Sequence, residues 1–534
     1  MLDSLARDIL AHDRHTPDAP ALLWNGTTLT YGDLAALADT AAVRLAAPDL
    51  RGDAPVAVRA VKSPASIALV LACLLARRTV LLLSPDLGHL AAARLAERAG
   101  CGGLLVPGAD GEADLEPVLV PVPVPARPAP PGAALLLTTS GSTQLPKTVR
   151  LSHTALDRFT RWAGSAFPLG PGHRVLSYAP LNFDLSLFDV WATLRHGGCV
   201  IPVDPGRAAD PRHLVRLFRE SGPEVVQAVP MLFRLLAEAG TDAEPFTSVR
   251  HVLLTGEHTP RSLRGRLAQL FPRAEFHNVY GCTETNDSLL YSCGAREAAD
   301  LEALPLGGPL PGVRVRLVSD GRDLDGPGTG ELLVHTPFQA DGYLGAGDPD
   351  DRFVRPAPGI SEPVWFRTGD LVRRDTEGRL TLVGRDDFQV KVGGVRVSPE
   401  AVEQVAQSHP EVMEAAVVAL AAPGTDTGPG PGPGPGPGND TSTDPGLGTN
   451  TRLHALVRVA PDCTVTGLHL LTHCSAWLPR AAVPTVHLTR EPLPTGITGK
   501  VDRARVRSVL TARLAARHHT HARTDRPTQP EPSA

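Results

Sequence analysis

Apolar and polar positions follow two rhythms along this chain. Up to residue 130, short apolar runs such as PVAVRAV (55–61) and TVLLLSP (79–85) flank stretches of helical period, SIALVLACLLARR (66–78) among them. Alternation of strand, helix and strand predicts an α/β fold with a largely parallel sheet. The rhythm returns over 133–300, with strand candidates ALLLTTS (134–140), EVVQAVP (224–230) and RHVLLTG (250–256). Between them, PVLVPVPVPARPAPPG (117–132) predicts an extended connector, because proline removes ladder donors and breaks helices.

Over 303–385 the pattern becomes β-rich, with VRVRLVS, GELLVHT, LVRRDTEG and RLTLVGR reading as hairpins. After 386 it changes to a small α+β unit. There SPEAVEQVAQSH predicts a helix with Ser398 as N-cap and Pro399 at the first helical position. Strands EAAVVAL and RLHALVRVA follow, separated by a Gly-Pro tract that cannot pack a core. The expected fold class is α/β: a large N-terminal domain of parallel α/β subdomains plus a β-rich subdomain (1–386), then a small mobile α+β C-terminal domain (387–514). The insert 423–451 is expected as a solvated, disordered loop, and 515–534 as a disordered tail.

Composition narrows the function. A formal net charge of −5 over 534 residues argues against a general nucleic-acid or anionic-membrane binder. The apolar stretch Ile67–Ala76 is too short to span a bilayer, and the first residues lack a basic region followed by a long apolar one. The seven cysteines are scattered without a CxxC pair, which fits free thiols in a reducing compartment. The expectation is a cytoplasmic protein.

Only four residues are lysine (Lys62, Lys147, Lys391, Lys500), against 48 arginines. An ammonium is a compact point charge that a guanidinium does not always replace, so each lysine is a candidate for chemistry. Lys147 closes LLLTTSGSTQLPK (135–147), an apolar strand opening into hydroxyl and glycine residues. Backbone N–H groups and hydroxyls of such a loop can wrap phosphate oxygens, although the bare pattern also fits a linker. NVYGCTETND (278–287) places an aromatic beside a glycine turn and a carboxylate suited to Mg²⁺. FRTGDLVRR (366–374) sets Asp370 at a turn, GRDDFQVKVGGVRV (384–397) spans the expected domain boundary, and PLPTGITGKVDR (492–503) presents Lys500.

Taken together and in this order, these segments resemble the adenylate-forming superfamily, in particular free-standing amino-acid adenylation enzymes of the nonribosomal peptide synthetase type. The resemblance covers roughly 20–505. It rests on TSGSTQLPKT, Phe183-Asp184-Leu185-Ser186, YGCTE, Gly330-Glu331-Leu332, TGD, GRDDFQVKVGGVRVS and TGKVDR. It implies that a carboxylate attacks the α-phosphate of ATP, and that a thiol, usually a carrier protein's phosphopantetheine, then displaces AMP.

By the same resemblance Lys500 is the catalytic cation between the two anionic reactants. Thr139, Ser140, Gly141, Ser142, Thr143 and Lys147 hold phosphates, and Asn278 and Tyr280 hold adenine. Gly256 and Thr283 join the ATP site, Glu284 binds Mg²⁺, and Asp370 and Arg385 hold the ribose. Asp387 is the hinge of the small domain. Gln144 and Thr148 depart from two family glycines, which either reshapes the phosphate loop or weakens ATP use.

Asp184 matches the residue that pairs with a substrate α-ammonium in amino-acid-activating members. The implied pocket also includes Leu185, Phe188, Gln227, Leu253, Thr255, Val279, Asp287 and Ser288. Asp287, Gln227 and Ser288 point to a small or medium polar side chain carrying a second amine or hydroxyl. Neither a carrier attachment motif nor an HHxxxDG condensation signature occurs, so the expected partner is a separate carrier protein acting in trans. The expected cofactors are ATP and Mg²⁺. Two alternatives stay open: a CoA ligase for a carboxylic acid, and a catalytically impaired homologue that binds a carrier.

Overall fold

The computed structural model describes residues 4–46, 50, 52–85, 87, 89–107, 118–120, 129, 131–139, 146–239, 244–344, 351–356, 362–385, 390–392, 395–421, 451–478, 482–496 and 499–524. The chain forms two compact units. One comprises Met1–Thr368, Val372–Leu382 and Ile497–Gly499; the other comprises Gly369–Leu371, Val383–Gly496 and Lys500–Ala534. The expected hinge Asp387 and the Gly-Pro insert lie outside the described residues.

The first unit is built on two mainly parallel sheets and one antiparallel sheet, so the α/β class stands. The nine-stranded sheet runs, from one edge to the other, Gly308–Pro309, Asn286–Gly294, Glu275–Cys282, His251–Thr255, Val225–Ala228, Arg174–Ser177, Cys199–Pro202, Pro20–Trp24, Thr27–Thr30. Its six inner strands are parallel to one another. The six-stranded sheet orders Val118–Val120, Gly103–Val106, Val56–Arg59, Val80–Leu83, Ala133–Thr139 and Lys147–Ser152. Val80–Leu83 reads as a continuous apolar run because helices cover both faces of such a sheet; Leu81, Leu82 and Leu83 are buried.

The proline-dense connector differs from expectation. Val118–Val120 adds an antiparallel edge strand to Gly103–Val106. An edge strand needs hydrogen bonds on one side only, which tolerates flanking prolines.

The β-rich stretch forms the expected antiparallel sheet, with Arg314–Ser319 paired to Gly328–His335. In the second unit, Ser398 Oγ accepts from Ala401 N, capping the helix Pro399–Gln407 whose first residue is proline. Val412–Ala421 pairs antiparallel with Thr451–Val459, and Thr485–Thr489 adds a parallel strand. The helix Arg503–Thr524 carries the chain past 515, where a disordered tail was expected. Val506 and Leu510 bury its first turns against the sheet, and the arginines and alanines that follow are good helix formers. Residues 525–534 lie outside the described residues.

All seven cysteines are free. Among the described residues no helix is long and apolar enough to cross a membrane.

Candidate active site

Open α/β sheets bind ligands beyond the carboxyl ends of their parallel strands. Here Arg174–Ser177, Val225–Ala228, His251–Thr255 and Glu275–Cys282 end side by side, with Gln227 in register with both Ser177 and Leu253, and Thr255 with Val279. Gly256 follows Thr255 with φ +82°, a left-handed turn that a side chain would strain. Next to it, Asn278 Nδ2 donates to Pro305 O at 2.7 Å, and Tyr280 packs half-buried against the main core.

The strand Glu275–Cys282 turns back sharply into Asn286–Gly294. A Cβ on Gly281 would fall 2.0 Å from Asn286 O, so the close approach of the two chains requires glycine there. Thr283 and Glu284 form the turn. Tyr343 O–H donates to Glu284 Oε1 at 2.8 Å, and Ala340 N donates to Glu284 O at 2.9 Å. Burial, then the Glu284 charge, pushes the phenol pKa far up, so the tyrosine remains the donor.

Lys147 Nζ sits 4.7 Å from the centre of the same ring, a cation–π distance. A hard carboxylate oxygen and a point cation on either side of one tyrosine form a donor set that fits Mg²⁺ and a polyphosphate. Lys147 opens a strand paired with Thr139, while Ser140, Gly141, Ser142, Thr143 and Gln144 lie outside the described residues. Thr148 stands in that strand opposite Thr138 with its side chain buried, so it adds no bulk to the loop.

Among the expected substrate residues, Asp184 and Asp287 lie near a buried charge cluster. Asp184 precedes a stretch of π-helix, Leu187–Ala192, a widened turn that often marks functional sites. Phe188, Gln227, Leu253, Thr255, Val279 and Ser288 are all buried; Leu185 is half-buried.

Asp287 is half-buried as a residue, yet its Oδ2 is sealed from solvent and accepts no hydrogen bond. Burial, with the neighbouring Asp184 charge, raises its pKa to about 7. Deeper lies Asp189, fully buried, with neither carboxyl oxygen hydrogen-bonded. Burial raises its pKa well above the usual carboxylate range; Lys62 opposes that shift and Asp287 adds to it. Lys62 is 2% exposed and donates to Ser177 O at 2.7 Å, and burial pulls its pKa down to about 7.

Asp370, on the strand Trp365–Arg374, is buried and accepts from Arg385 Nη1 at 2.9 Å, so the two residues expected to share one role are themselves ion-paired. Lys500 is exposed in a turn closed by Gly496 N donating to Lys500 O at 2.8 Å.

Sequence reasoning missed three residues of these clusters. Lys62 stood out only as the lysine no motif absorbed. Asp189, five residues after Asp184, carried the signal of an acid inside the apolar run LFDVWA. Tyr343 had none, because its partners come from segments remote in the chain.

Two mainly parallel sheets, with a carboxylate and a lysine both held by Tyr343, suit a nucleotide-binding enzyme. Residues 10–344 match the model of a family described as AMP-binding enzyme, and the chain belongs to that family. It is 31% identical over 526 residues to phenyloxazoline synthase MbtB of Mycobacterium sp. (strain MCS), covering 96% of this chain and 42% of that protein. It therefore spans less than half the length of that relative. To the L-proline–[L-prolyl-carrier protein] ligase of Streptomyces coelicolor it is 32% identical over 382 residues, covering 71% of this chain and 66% of that one. Among solved structures, Klebsiella oxytoca NpsA in complex with 3-hydroxyanthranilyl-AMSN superposes with a TM-score of 0.73 at 21% identity, over 96% of this chain and 100% of that one, which shows the fold.

Proposed function

We propose that this ligase uses ATP and Mg²⁺ to activate an amino acid bearing a second amine, and passes it to the phosphopantetheine thiol of a separate carrier protein. The observation that carries the reading is the pair Asp184 and Asp287, close enough for the Asp184 charge to raise the Asp287 pKa. Two neighbouring acids suit two ammonium groups: Asp184 would pair the α-ammonium and Asp287 the side-chain amine. A ligand with no second amine would leave Asp287, whose Oδ2 is sealed from solvent and accepts no hydrogen bond, uncompensated, which is costly.

In the first step a substrate carboxylate oxygen bonds to the α-phosphorus and the bond to the β-phosphate oxygen breaks, releasing pyrophosphate. Both reactants are anionic, so the step depends on cations: Lys500 at the reacting centre and Lys147 at the phosphates. Thr139, Ser140, Gly141, Ser142 and Thr143 complete the phosphate loop. Glu284 would hold Mg²⁺, which would supply positive charge at the phosphates. Asn278, Tyr280, Gly256 and Thr283 hold the nucleoside, and Asp370 with Arg385 the ribose. In the second step the thiol sulfur bonds to the acyl carbon, AMP leaves with the C–O bond pair, and the thiol proton passes to solvent. Rotation of the small domain about Asp387 separates the two steps.

ATP–pyrophosphate exchange over a panel of amino acids tests this, with Lys500→Ala as control. Exchange greatest with diamino acids and lost in Lys500→Ala supports the reading. Exchange only with Leu, Val or Phe would overturn the substrate class, and release of CoA thioester in place of carrier loading would overturn the acceptor.

A further inference from the structure

The opposite end of the same sheet carries a second constellation. At the N-terminal ends of its central strands, His251 is in register with Glu275, and His277 lies two residues further along. The three side chains point to the same face and converge. His251 Nδ1 lies 3.0 Å from His277 Nε2. Glu275 Oε2 is 3.8 Å from the first nitrogen and 3.7 Å from the second. Tetrahedral donors at zinc bond lengths stand on the order of 3.3–3.4 Å apart, so the three edges of this triangle straddle that value.

We propose that His251, Glu275 and His277 form a divalent-cation site of zinc-like preference. Two imidazole nitrogens and one carboxylate oxygen are the donor set that borderline cations select over Mg²⁺ or Ca²⁺. The outer contacts also suit a ligand role. His277 Nδ1 bonds to Ser292 Oγ at 2.7 Å, which holds its Nε2 toward the triangle, as supporting hydrogen bonds do around bound metals. Phe167 stands edge-on to both rings, at 5.8 Å and 5.1 Å, and limits their rotation. Glu275 is half exposed, which leaves solvent access for a fourth ligand and an entry path.

A shared N–H···N hydrogen bond between two neutral rings accounts for the imidazole contact but not for the carboxylate. His454 and His487 show that simpler arrangement, with Nδ1 and Nε2 3.1 Å apart and rings stacked at 26°. Among the described residues, only the His251 pair gains a third converging ligand atom. The site is separate from the catalytic cluster, which occupies the other ends of these strands.

The test is titration of the chelator-treated full chain with Zn²⁺ and with Co²⁺. Bound metal is counted by equilibrium dialysis and geometry is read from visible Co²⁺ absorption. His251→Phe and Glu275→Gln, both at partly exposed positions, are the variants, with far-UV circular dichroism to verify folding. The histidines near the C-terminus remain in every variant and contribute a constant background. The expected result is one additional equivalent in the wild type, with tetrahedral Co²⁺ bands that vanish in His251→Phe. In Glu275→Gln the affinity falls at least about 10-fold. Equal stoichiometry and affinity in wild type and both folded variants overturns the site. So does a wild-type Co²⁺ spectrum that is octahedral throughout.

Discussion

The Tyr343 hydroxyl donates to Glu284 Oε1 at 2.8 Å while the face of its ring receives Lys147 at 4.7 Å. One buried side chain thus orients the carboxylate and positions the cation of the proposed nucleotide site. Replacing Tyr343 by Phe keeps the ring and removes only the bond to the carboxylate. Loss of a bond that orients a metal ligand commonly weakens metal affinity about 10- to 100-fold. The Mg²⁺ concentration giving half-maximal pyrophosphate exchange is expected to rise by that factor. An unchanged Mg²⁺ requirement in a folded Tyr343→Phe protein would remove Glu284 from the metal site.

Lys62 and Asp189 are both buried, near enough for the Lys62 charge to oppose the rise in the Asp189 pKa although no hydrogen bond joins them. Removing one of two opposite charges buried together costs up to about 3–5 kcal/mol, whereas replacing both with apolar groups is often close to neutral. Lys62→Met is expected to destabilise the large unit by about that amount. The double variant Lys62→Met/Asp189→Leu should recover more than half of the loss. Urea unfolding of the three proteins measures this, and equal midpoints for the single and double variants would show that the two side chains do not interact.

In the proposed substrate site, Asp287 would link substrate affinity to pH. Its folded pKa, about 7, lies above the unfolded value. The folded state therefore binds more protons than the unfolded state between about pH 4 and pH 7. Its contribution to stability is present below that window and is lost as pH rises through about 7. Substrate binding has the opposite sign, since an ammonium pairs only with the ionised acid. KM for a diamino acid is expected to fall between about pH 6 and pH 8 in the wild type and to stay flat in Asp287→Asn. Parallel profiles in the two proteins would place the second amine elsewhere.

Gly281→Ala tests the turn that carries Thr283 and Glu284. The new methyl would meet Asn286 O at 2.0 Å, and backbone cannot yield as a flexible side chain can. Exchange activity is expected to fall at least about 100-fold, with a destabilisation of about 1–3 kcal/mol by thermal unfolding. Wild-type kinetics in this variant would mean that the hairpin does not set the position of Glu284.

Local features were legible because neighbours in sequence set them. Ser398 and Pro399 mark a helix start wherever they occur together ahead of an apolar period, and the structure caps the helix there. Runs such as VLLLS read as buried strands because a parallel sheet covers both faces. The proline-flanked Val118–Val120 escaped notice because only its place at the sheet edge makes those prolines harmless. The helix Arg503–Thr524 escaped for a similar reason: its first turns pack on a sheet that the local pattern does not reveal.

By itself the sequence determined the fold class, the order of the motifs, and the scarcity of lysine that marked Lys147 and Lys500 for chemistry. Sheet order and register decided the rest. Lys62 reaches Ser177 across 115 residues, and Tyr343 reaches Glu284 across 59. His251 meets His277 because two parallel strands lie side by side. A chain carries the identities of such partners but not their distances. Only burial in a shared low-dielectric interior shifts the pKa values of Asp189, Asp287 and Lys62 together.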